Sequence, residues 1–228
     1  MIDITQRLSR ALGQAAFVLV LVGCGGGGGG GTSTTPTTVT PPDPTLSASS
    51  AGGLFNEPQQ VTLTSNGAPI YYTTDGSAPT SSSQRYTAAF TLDNDTTLQA
   101  VAINSAGQTS STVLLTFRFD FDPPTNFALE ANTLVIDVAN ENAFTLTIAN
   151  GELDANYAIE INDADGFTQA ISLSGQINNA DEQVLSADLS SMADGDVTAV
   201  LSLTDVAGNA SVPFSLALTK ATDTAEVQ

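Results

Sequence analysis

Residues 70–80 read IYYTTDGSAPT, and this stretch decides the fold class. It opens with an isoleucine, two tyrosines and two threonines, residue types that are enriched in β-strands. Asp75-Gly76 follows directly, and this pair favours a tight turn between two strands. The stretch therefore predicts a β-strand that ends in a turn.

Strand patterns of the same kind lie on both sides of this stretch. Apolar residues alternate with polar ones in further short runs, and turn residues separate these runs. The alternating apolar positions are Val61, Leu63, Leu98, Ala100, Ala102, Val113, Leu115, Phe117 and Phe119. Several short strands with turns between them predict an all-β fold built as a β-sandwich.

Over most of residues 45–121 the sequence resembles the chitobiase/β-hexosaminidase C-terminal domain family. The resemblance rests on a glycine-led entry, a V-T-L-T strand, the Y-Y-T-T-D-G-S-x-P-T signature, a T-T-L-Q-A-V-A strand and an A-G turn. Ala78 departs from the family, which often has a polar or acidic residue at this position. The resemblance implies an immunoglobulin-like accessory domain that accompanies secreted glycosidases and other surface proteins and is not itself catalytic.

Tyr71, Tyr72 and Asp75 are the candidate ligand-binding residues of this first module. As a binding site they would form an aromatic platform for a sugar, with a carboxylate that accepts hydrogen bonds from it. Adjacent residues of a strand point to opposite faces of the sheet, so the two rings cannot form one platform. We therefore expect one tyrosine in the core, one on a sheet face, and Asp75 as an acceptor for the N–H groups of its own turn.

Asp122-Pro123-Pro124 interrupts the strand pattern and predicts a domain boundary, with a second module over residues 122–220. About seven alternating runs follow, as in an immunoglobulin-like sandwich. They are Leu134/Ile136/Val138, Phe144/Leu146/Ile148, Tyr157/Ile159/Ile161, Ile171/Leu173, Leu185/Ala187/Leu189, Val197/Ala199/Leu201/Leu203 and Val212/Phe214/Leu216/Leu218. VLSLTDVAGNASVPFSLAL, residues 200–218, resembles the closing hairpin of bacterial immunoglobulin-like repeats. The sequence thus predicts two tandem immunoglobulin-like β-sandwiches.

The two predicted modules end in the same residue pattern. When Gly107 is aligned with Gly208, Asn104 meets Asp205 and Ser110 meets Ser211. The apolar positions of the strands that follow also coincide. Duplication and convergence on a shared fold both explain this correspondence.

The N-terminus has the features of an exported lipoprotein. Residues 1–23 combine basic residues with an apolar run that is typical of a secretory signal peptide and is shorter than the ~20 residues that span a bilayer. Leu21-Val22-Gly23-Cys24 resembles the lipobox of bacterial lipoproteins. The resemblance implies cleavage before Cys24, fatty acylation of Cys24, and an outer-membrane location, because glycine rather than aspartate follows the cysteine. The alternatives are an ordinary signal peptide with an incidental cysteine and an uncleaved anchor.

Residues 24–44 are the predicted lipidated cysteine and its linker. The linker is rich in Gly, Thr and Pro and has no apolar period, so it predicts a disordered tether without a core of its own. Residues 221–228 form a short predicted tail after the second module.

Composition excludes several functions. The chain has 24 acidic and 5 basic residues, a formal charge of −19, which disfavours nucleic acid as a partner. It has no histidine, so the usual base of a nucleophilic triad is missing. Two small sandwiches also offer little room for a cleft with a pair of catalytic carboxylates. We therefore expect no catalytic residues, no cofactor and no enzymatic activity.

Several loops of the second module are rich in carboxylate and amide oxygens, which are the ligands of Ca²⁺. No stretch fits the roughly twelve-residue pattern of an EF-hand, and turns attract Asp and Asn for structural reasons. The candidate Ca²⁺ ligands are Asp163, Asp165, Asp181, Asp194, Asp196 and Asp205.

Together these features predict a lipid-anchored protein of the bacterial cell envelope that acts as a non-catalytic binding, adhesion or display module. The expected ligand is a polysaccharide or another envelope protein. The alternative is a purely structural spacer or stalk subunit of a surface assembly, and a third is an accessory part of a carbohydrate-active system. The membrane, reached through Cys24, is a predicted partner, and nucleic acid is not.

Overall fold

The computed structural model describes residues 40–164, 166 and 169–222, which belong to one compact unit. Regular structure in this part of the chain is β-strand, apart from one 3-10 turn at Glu141–Ala143. The all-β class predicted from the sequence is therefore confirmed. Cys24, Asp165 and most of the predicted tail lie outside the described residues.

Residues 40–121, which we call the N-terminal half, contain nine strands. They are β1 (Leu46–Ala48), β2 (Gly53–Phe55), β3 (Gln59–Val61), β4 (Leu63–Ser65), β5 (Ile70–Thr73), β6 (Gln84–Arg85), β7 (Phe90–Leu92), β8 (Thr96–Ala102) and β9 (Val113–Phe119). A five-stranded sheet has the order β2-β9-β8-β5-β6, and the remaining strands pair as β1-β4 and β3-β7.

Residues 122–222, which we call the C-terminal half, contain eight described strands. They are β10 (Ala128–Ala131), β11 (Val135–Ile136), β12 (Phe144–Ala149), β13 (Asn156–Asp163), β14 (Ile171–Gln176), β15 (Glu182–Ala187), β16 (Gly195–Thr204) and β17 (Phe214–Lys220). A five-stranded sheet has the order β11-β17-β16-β13-β14, and a three-stranded sheet has the order β10-β12-β15.

Both halves have the same order of strands in their larger sheet. The last strand pairs antiparallel with the strand before it and parallel with a short strand, β2 or β11. Each residue pair between β8 and β9, beginning with Thr96 and Phe117, recurs 101 positions later between β16 and β17. The sequence alignment of Gly107 with Gly208 is therefore also the structural alignment of the two hairpins.

The buried apolar residues form two separate clusters, one in each half. In the N-terminal half, Leu98 and Phe117 of the larger sheet share a cluster with Val61 of β3. In the C-terminal half, Phe144 of β12 shares a cluster with Leu201 of β16. Full burial of a side chain of this size contributes about 1.5–3 kcal/mol, so packing of the sheets face to face is the main stabilising term in each half.

Three positions that the sequence predicts to point inward are exposed. Leu134 and Val138 flank β11, which pairs with β17 over two residues only, so the alternation does not extend beyond Ile136. Val212 precedes β17 and is 83% exposed. These predictions were wrong because an alternating sequence does not show where pairing with a neighbouring strand stops.

Strand β10 was not predicted from the sequence. Its residues, ALEA, have little intrinsic preference for strands, and β10 is held by pairing with β12. No strand covers Asp122-Pro123-Pro124, since β9 ends at Phe119 and β10 begins at Ala128. Both halves belong to the same compact unit, and the predicted domain boundary between residues 121 and 122 stays a prediction.

Candidate functional site

Tyr71 and Tyr72 lie on opposite faces of β5. Tyr72 is 8% exposed, belongs to the core, and stacks on Phe90 with 4.9 Å between the ring centroids. Burial raises the pKa of the Tyr72 hydroxyl above its ordinary value. Tyr71 is half-buried and lies between Arg85 in β6 and Val101 in β8. The two rings therefore form no common platform for a sugar.

Asp75 stabilises its own turn. Its Oδ1 accepts hydrogen bonds from the Ser77 backbone N–H at 2.9 Å and from the Ser77 hydroxyl at 2.6 Å. The hydroxyl and then the backbone N–H lower the pKa of Asp75 by stabilising the carboxylate. Gly76 adopts a φ of 78°, which glycine allows without strain, and its carbonyl accepts a hydrogen bond from the Gln99 side chain at 2.6 Å. The Asp-Gly pair thus has the structural role expected from the sequence.

An open groove of about 340 Å³ lies beside Arg85 and Tyr86 in the N-terminal half, and we call it the Arg85 groove. Its other wall includes Thr64 and Ser65 of β4 together with Pro69. Arg85 is exposed and forms no ion pair with any residue in the described part of the chain. A guanidinium beside an aromatic ring and hydroxyl groups can donate hydrogen bonds and offer a stacking surface to a polar ligand.

The sequence alone did not single out Arg85. The sequence feature that could have pointed to Arg85 is the rarity of basic residues, since the chain has only 5 of them. Rarity marks Arg118 equally, because Arg118 is also exposed, so the adjoining groove is what distinguishes Arg85. Its position beside a groove became visible only from the pairing of β5 with β6.

The predicted Ca²⁺ ligands differ in burial and in hydrogen-bond partners. Across residues 40–164, 166 and 169–222, no group of three or more His, Cys, Asp or Glu side chains is arranged to hold a metal ion. Asp163 is buried and accepts a hydrogen bond from the Ala193 N–H at 3.3 Å, and Asp194 accepts one from the Thr222 hydroxyl at 2.8 Å. Asp181 and Asp196 are exposed, and Asp165 lies outside the described residues.

Asp205 organises the turn at residues 205–209, which we call the Asp205 turn. Its Oδ1 accepts hydrogen bonds from the N–H groups of Gly208 at 2.7 Å and Asn209 at 2.8 Å, and its Oδ2 accepts one from the Asn209 side chain at 2.8 Å. The residue is 3% exposed. Both carboxylate oxygens are engaged by N–H donors, so the chemistry here is that of a structural acceptor.

The same turn connects the two halves. The Asn209 side-chain N–H also donates to the Asp120 carbonyl at 2.8 Å, just after β9. The carboxyl group of Glu152 lies close enough to Asp205 and Asp120 for electrostatic repulsion from both carboxylates. Glu152 is exposed at the surface, but partial desolvation of its carboxyl group and then these two negative charges raise its pKa.

Residues 104–108 form the equivalent turn of the N-terminal half, which we call the Asn104 turn. The Asn104 Oδ1 accepts hydrogen bonds from the N–H groups of Ala106 and Gln108, both at 3.0 Å. Its side-chain N–H donates to the Pro42 carbonyl at 3.1 Å, and the Gln108 side chain donates to Asp43 at 2.8 Å. Each turn thus contacts the chain segment that enters its own half.

Lys220 is the buried cation that sequence reasoning missed. It is 2% exposed, and its ammonium lies 2.9 Å from a carboxylate oxygen of Glu141. It also donates hydrogen bonds to the carbonyls of Leu189 at 2.8 Å and Ser190 at 2.9 Å. A signal was present, because Lys220 continues the inward-facing series of β17 after Leu218. Because all of these partners are satisfied, Lys220 has a structural role: it joins the end of β17 to Glu141 and to residues 189–190.

The predicted lipid anchor belongs to the N-terminal segment of the chain. Cys24 and residues 1–23 lie outside the described residues, so the anchor stays a prediction. Within the described ranges, no helix combines the length and the hydropathy of a bilayer-spanning segment.

Residues 50–114 match the family model of the chitobiase/beta-hexosaminidase C-terminal domain. This match includes the Y-Y-T-T-D-G signature in β5 and the turn that follows it, so the resemblance noted in the sequence is confirmed for this segment. This segment, which spans strands β2 to β8, is therefore similar to that class of domain. No curated protein matches the sequence.

Several solved structures are similar to the chain at low sequence identity. Fibronectin(III)-like modules of Clostridium thermocellum CbhA are 16% identical, over 80% of this chain and 97% of that chain, with a TM-score of 0.45. A tetra-tandem repeat in the extending region of a large adhesion protein is 17% identical, over 77% of this chain and 49% of that chain, with a TM-score of 0.36. The D00-D0 domain of intimin is 16% identical, over 78% of this chain and 99% of that chain, with a TM-score of 0.34.

Proposed function

We propose that this chain is a lipid-anchored, non-catalytic protein of the bacterial cell envelope whose two β-sandwich domains form a polysaccharide-binding module. The observation that carries the proposal is the family match of residues 50–114, because the resemblance implies an accessory domain of surface proteins. The engagement of Asp75 and Asp205 in their own turns also supports a non-catalytic role. The groove beside Arg85 is the proposed contact surface for the sugar.

The anchor is tested through Cys24, on the basis of the Leu21-Val22-Gly23-Cys24 motif. The full chain and its Cys24→Ala variant are expressed in a Gram-negative bacterium, and the membrane and soluble fractions are separated. Acyl chains on the cysteine hold a protein to the membrane, so we expect the wild type in the detergent fraction and the variant in the soluble one. A Thr32→Ala variant is the control and should fractionate like the wild type. Retention of Cys24→Ala with the membrane would contradict the anchor.

The binding role is tested with a glycan array and the full chain. Arg85→Gln should weaken binding to the glycans that the wild type retains by about tenfold or more, because a charge-assisted hydrogen bond is lost. Arg118→Gln is a matched control, since Arg118 is also exposed and the change in net charge is the same. Equal losses of affinity in both variants would show that the sugar does not bind specifically in the Arg85 groove. A wild-type chain that retains no glycan would refute polysaccharide binding itself.

A spacer without a ligand is the second candidate function. The contact of Asn209 with Asp120 favours it, since this hydrogen bond ties the C-terminal half to the end of β9. A stalk needs contacts of this kind between its units, because they keep the units in a fixed arrangement and so hold another protein at a distance from the membrane. A blank glycan array together with defined envelope proteins that co-purify with the chain would favour the spacer.

A further inference from the structure

The two halves differ at one edge of their larger sheets. In the N-terminal half the edge strand is β6, which has two residues and includes Arg85. Its counterpart in the C-terminal half is β14, which has six residues. Among the described strands, every edge is four residues or shorter except β14 and β15. A long edge leaves a row of backbone N–H and C=O groups that can pair with another chain.

Strand β14 lacks the features that usually protect an edge. Proteins blunt exposed edges with charged residues, proline, bulges or short strands. The sequence of β14 is ISLSGQ, which contains neither a charge nor a proline. By contrast, β15 begins with Glu182. The unprotected edge in the described part of the chain is therefore β14.

Two rows of apolar side chains run across the sheet on its inward face, and each row ends at β14. Ile171 pairs with Ile161 of β13, and Leu173 pairs with Ile159. The two β13 residues are fully buried, whereas Ile171 and Leu173 are only half-buried against the core. Apolar side chains at alternate positions of an added strand would cover them and extend both rows. Burial of this apolar area would favour association.

The outward face and the overall charge specify the partner further. Ser172 lies on the exposed face beside Glu160 of β13. The chain as a whole has a formal charge of −19, so a second copy meets electrostatic repulsion, whereas a basic segment is attracted. Lysine or arginine on the outward face of an added strand complements this surface.

We propose that β14 is the docking site for an extended, basic segment of a partner protein, which joins the larger sheet of the C-terminal half as an additional strand. Its apolar residues alternate with lysine or arginine, with the apolar ones over Ile171 and Leu173. Main-chain hydrogen bonds supply affinity in this mode of recognition, and the alternating side chains supply specificity. This docking site is separate from the Arg85 groove and goes beyond the proposed sugar-binding function.

The first test uses a synthetic peptide of about seven alternating valine and lysine residues, roughly the length of a strand. Amide hydrogen exchange of the full chain should slow on addition of the peptide for Ile171–Gln176 and stay unchanged in β6. A second peptide with the same side chains carries N-methyl groups on the amides of one edge, so it cannot pair. We expect its affinity to be lower by about tenfold or more, since pairing supplies the binding energy. Equal binding of both peptides, or protection outside β14, would overturn the proposal.

Matched substitutions in the two long edges locate the site. Ser174→Lys in β14 and Ser186→Lys in β15 make the same change at exposed positions of two edge strands, so neither is expected to unfold the chain. The β14 variant should bind the basic peptide about tenfold more weakly through like-charge repulsion, and the β15 variant like the wild type. Equal effects of the two variants would contradict the site. Sedimentation without peptide is the last check, because a dimer that Ser174→Lys dissolves would identify a second copy as the occupant and refute a basic partner.

Discussion

The Asn104 turn and the Asp205 turn perform the same task with different chemistry. In both turns a side-chain oxygen accepts two backbone N–H groups and a glycine adopts a positive φ, 81° at Gly107 and 100° at Gly208. In both, a serine hydroxyl accepts the N–H of the preceding strand, Ser110 that of Ala102 and Ser211 that of Leu203. The geometry of the hairpin is therefore conserved between the halves although asparagine replaces aspartate.

The difference lies in burial and charge. Asp205 is 3% exposed and places a negative charge beside Asp120 and Glu152, whereas Asn104 is half-buried and neutral. The C-terminal half also ends on a buried ion pair at Lys220. The aligned position in the N-terminal half is Phe119, whose ring centroid lies 5.9 Å from that of Phe55 at a tilted angle. The end of the last strand is thus stabilised by aromatic packing in the N-terminal half and by a buried ion pair in the C-terminal half. The ion pair is more sensitive to the loss of one partner, because the other charge is then buried without compensation.

Lys220→Met should cause the largest loss. It keeps the apolar stem but removes the ammonium that Glu141 and two backbone carbonyls contact, which leaves buried polar groups without their partner. We expect a loss of about 3 kcal/mol in the free energy of unfolding of the C-terminal half, measured by amide exchange in β17. Phe119→Leu at the aligned position should cost about 1 kcal/mol. Similar losses of unfolding free energy in the two variants would contradict the idea that the buried ion pair is more sensitive to substitution than the aromatic packing.

Asp205→Ala and Asn104→Ala compare the two turns directly. Asp205→Ala leaves buried N–H groups without an acceptor and should destabilise the C-terminal half by about 2–3 kcal/mol. Asn104→Ala should cost about 1 kcal/mol in the N-terminal half, because water reaches the half-buried donors. Urea titration followed by NMR signals from each half separates the two values. A larger cost at Asn104 would show that burial does not decide the difference.

Gly107→Ala and Gly208→Ala should have smaller and more similar effects. Both glycines have a positive φ, so alanine costs about 1 kcal/mol at either position. An added Cβ at Gly208 would lie 3.3 Å from the Asn56 side chain, whereas Gly107 has open space. Amide chemical shifts of Asn56 should therefore change in Gly208→Ala and stay constant in Gly107→Ala. Unchanged Asn56 signals in both variants would mean that the Asp205 turn does not touch the N-terminal half in solution.

The smallest expected effect is the pH dependence from Glu152. Its pKa is raised in the fold by partial desolvation and by the negative charges of Asp205 and Asp120, so the ionised form costs stability above the folded-state pKa. That cost disappears as pH falls through the folded-state pKa toward the ordinary range of a glutamate. The wild-type melting temperature, relative to Glu152→Gln, should therefore rise as pH falls from neutral to mildly acidic. Glu130→Gln, at an exposed position of β10, is the control, and an opposite trend for Glu152 would contradict the electrostatic account.

Much of the fold followed from period-two patterns. Leu98, Ala100 and Phe117 are fully buried as alternation predicts, and Tyr72 and Asp75 take the structural roles expected of a strand and its turn. These features are local, since they depend on residues next to one another in the chain. The match of residues 50–114 to a family model extends the same signature.

The remaining features depend on contacts between distant residues. Pairing with β12 makes β10 a strand, and the short pairing of β11 leaves Val138 exposed. The partners of Lys220 come from two distant segments, at Glu141 and at Leu189-Ser190, so the sequence shows an inward lysine but not what neutralises it. The Arg85 groove depends in the same way on the proximity of β4 and β6.

The hydrogen bonds of Pro42 and Asp43 have a mechanical consequence. A pull applied at the N-terminal end of the described chain reaches the contacts of Pro42 and Asp43 with Asn104 and Gln108 before it reaches β1. The Asn66 side chain adds a further contact, to the Asp43 carbonyl at 2.8 Å. We expect these side-chain hydrogen bonds to break before the pairing of β1 with β4, so that the chain lengthens under tension while both hydrophobic clusters stay packed.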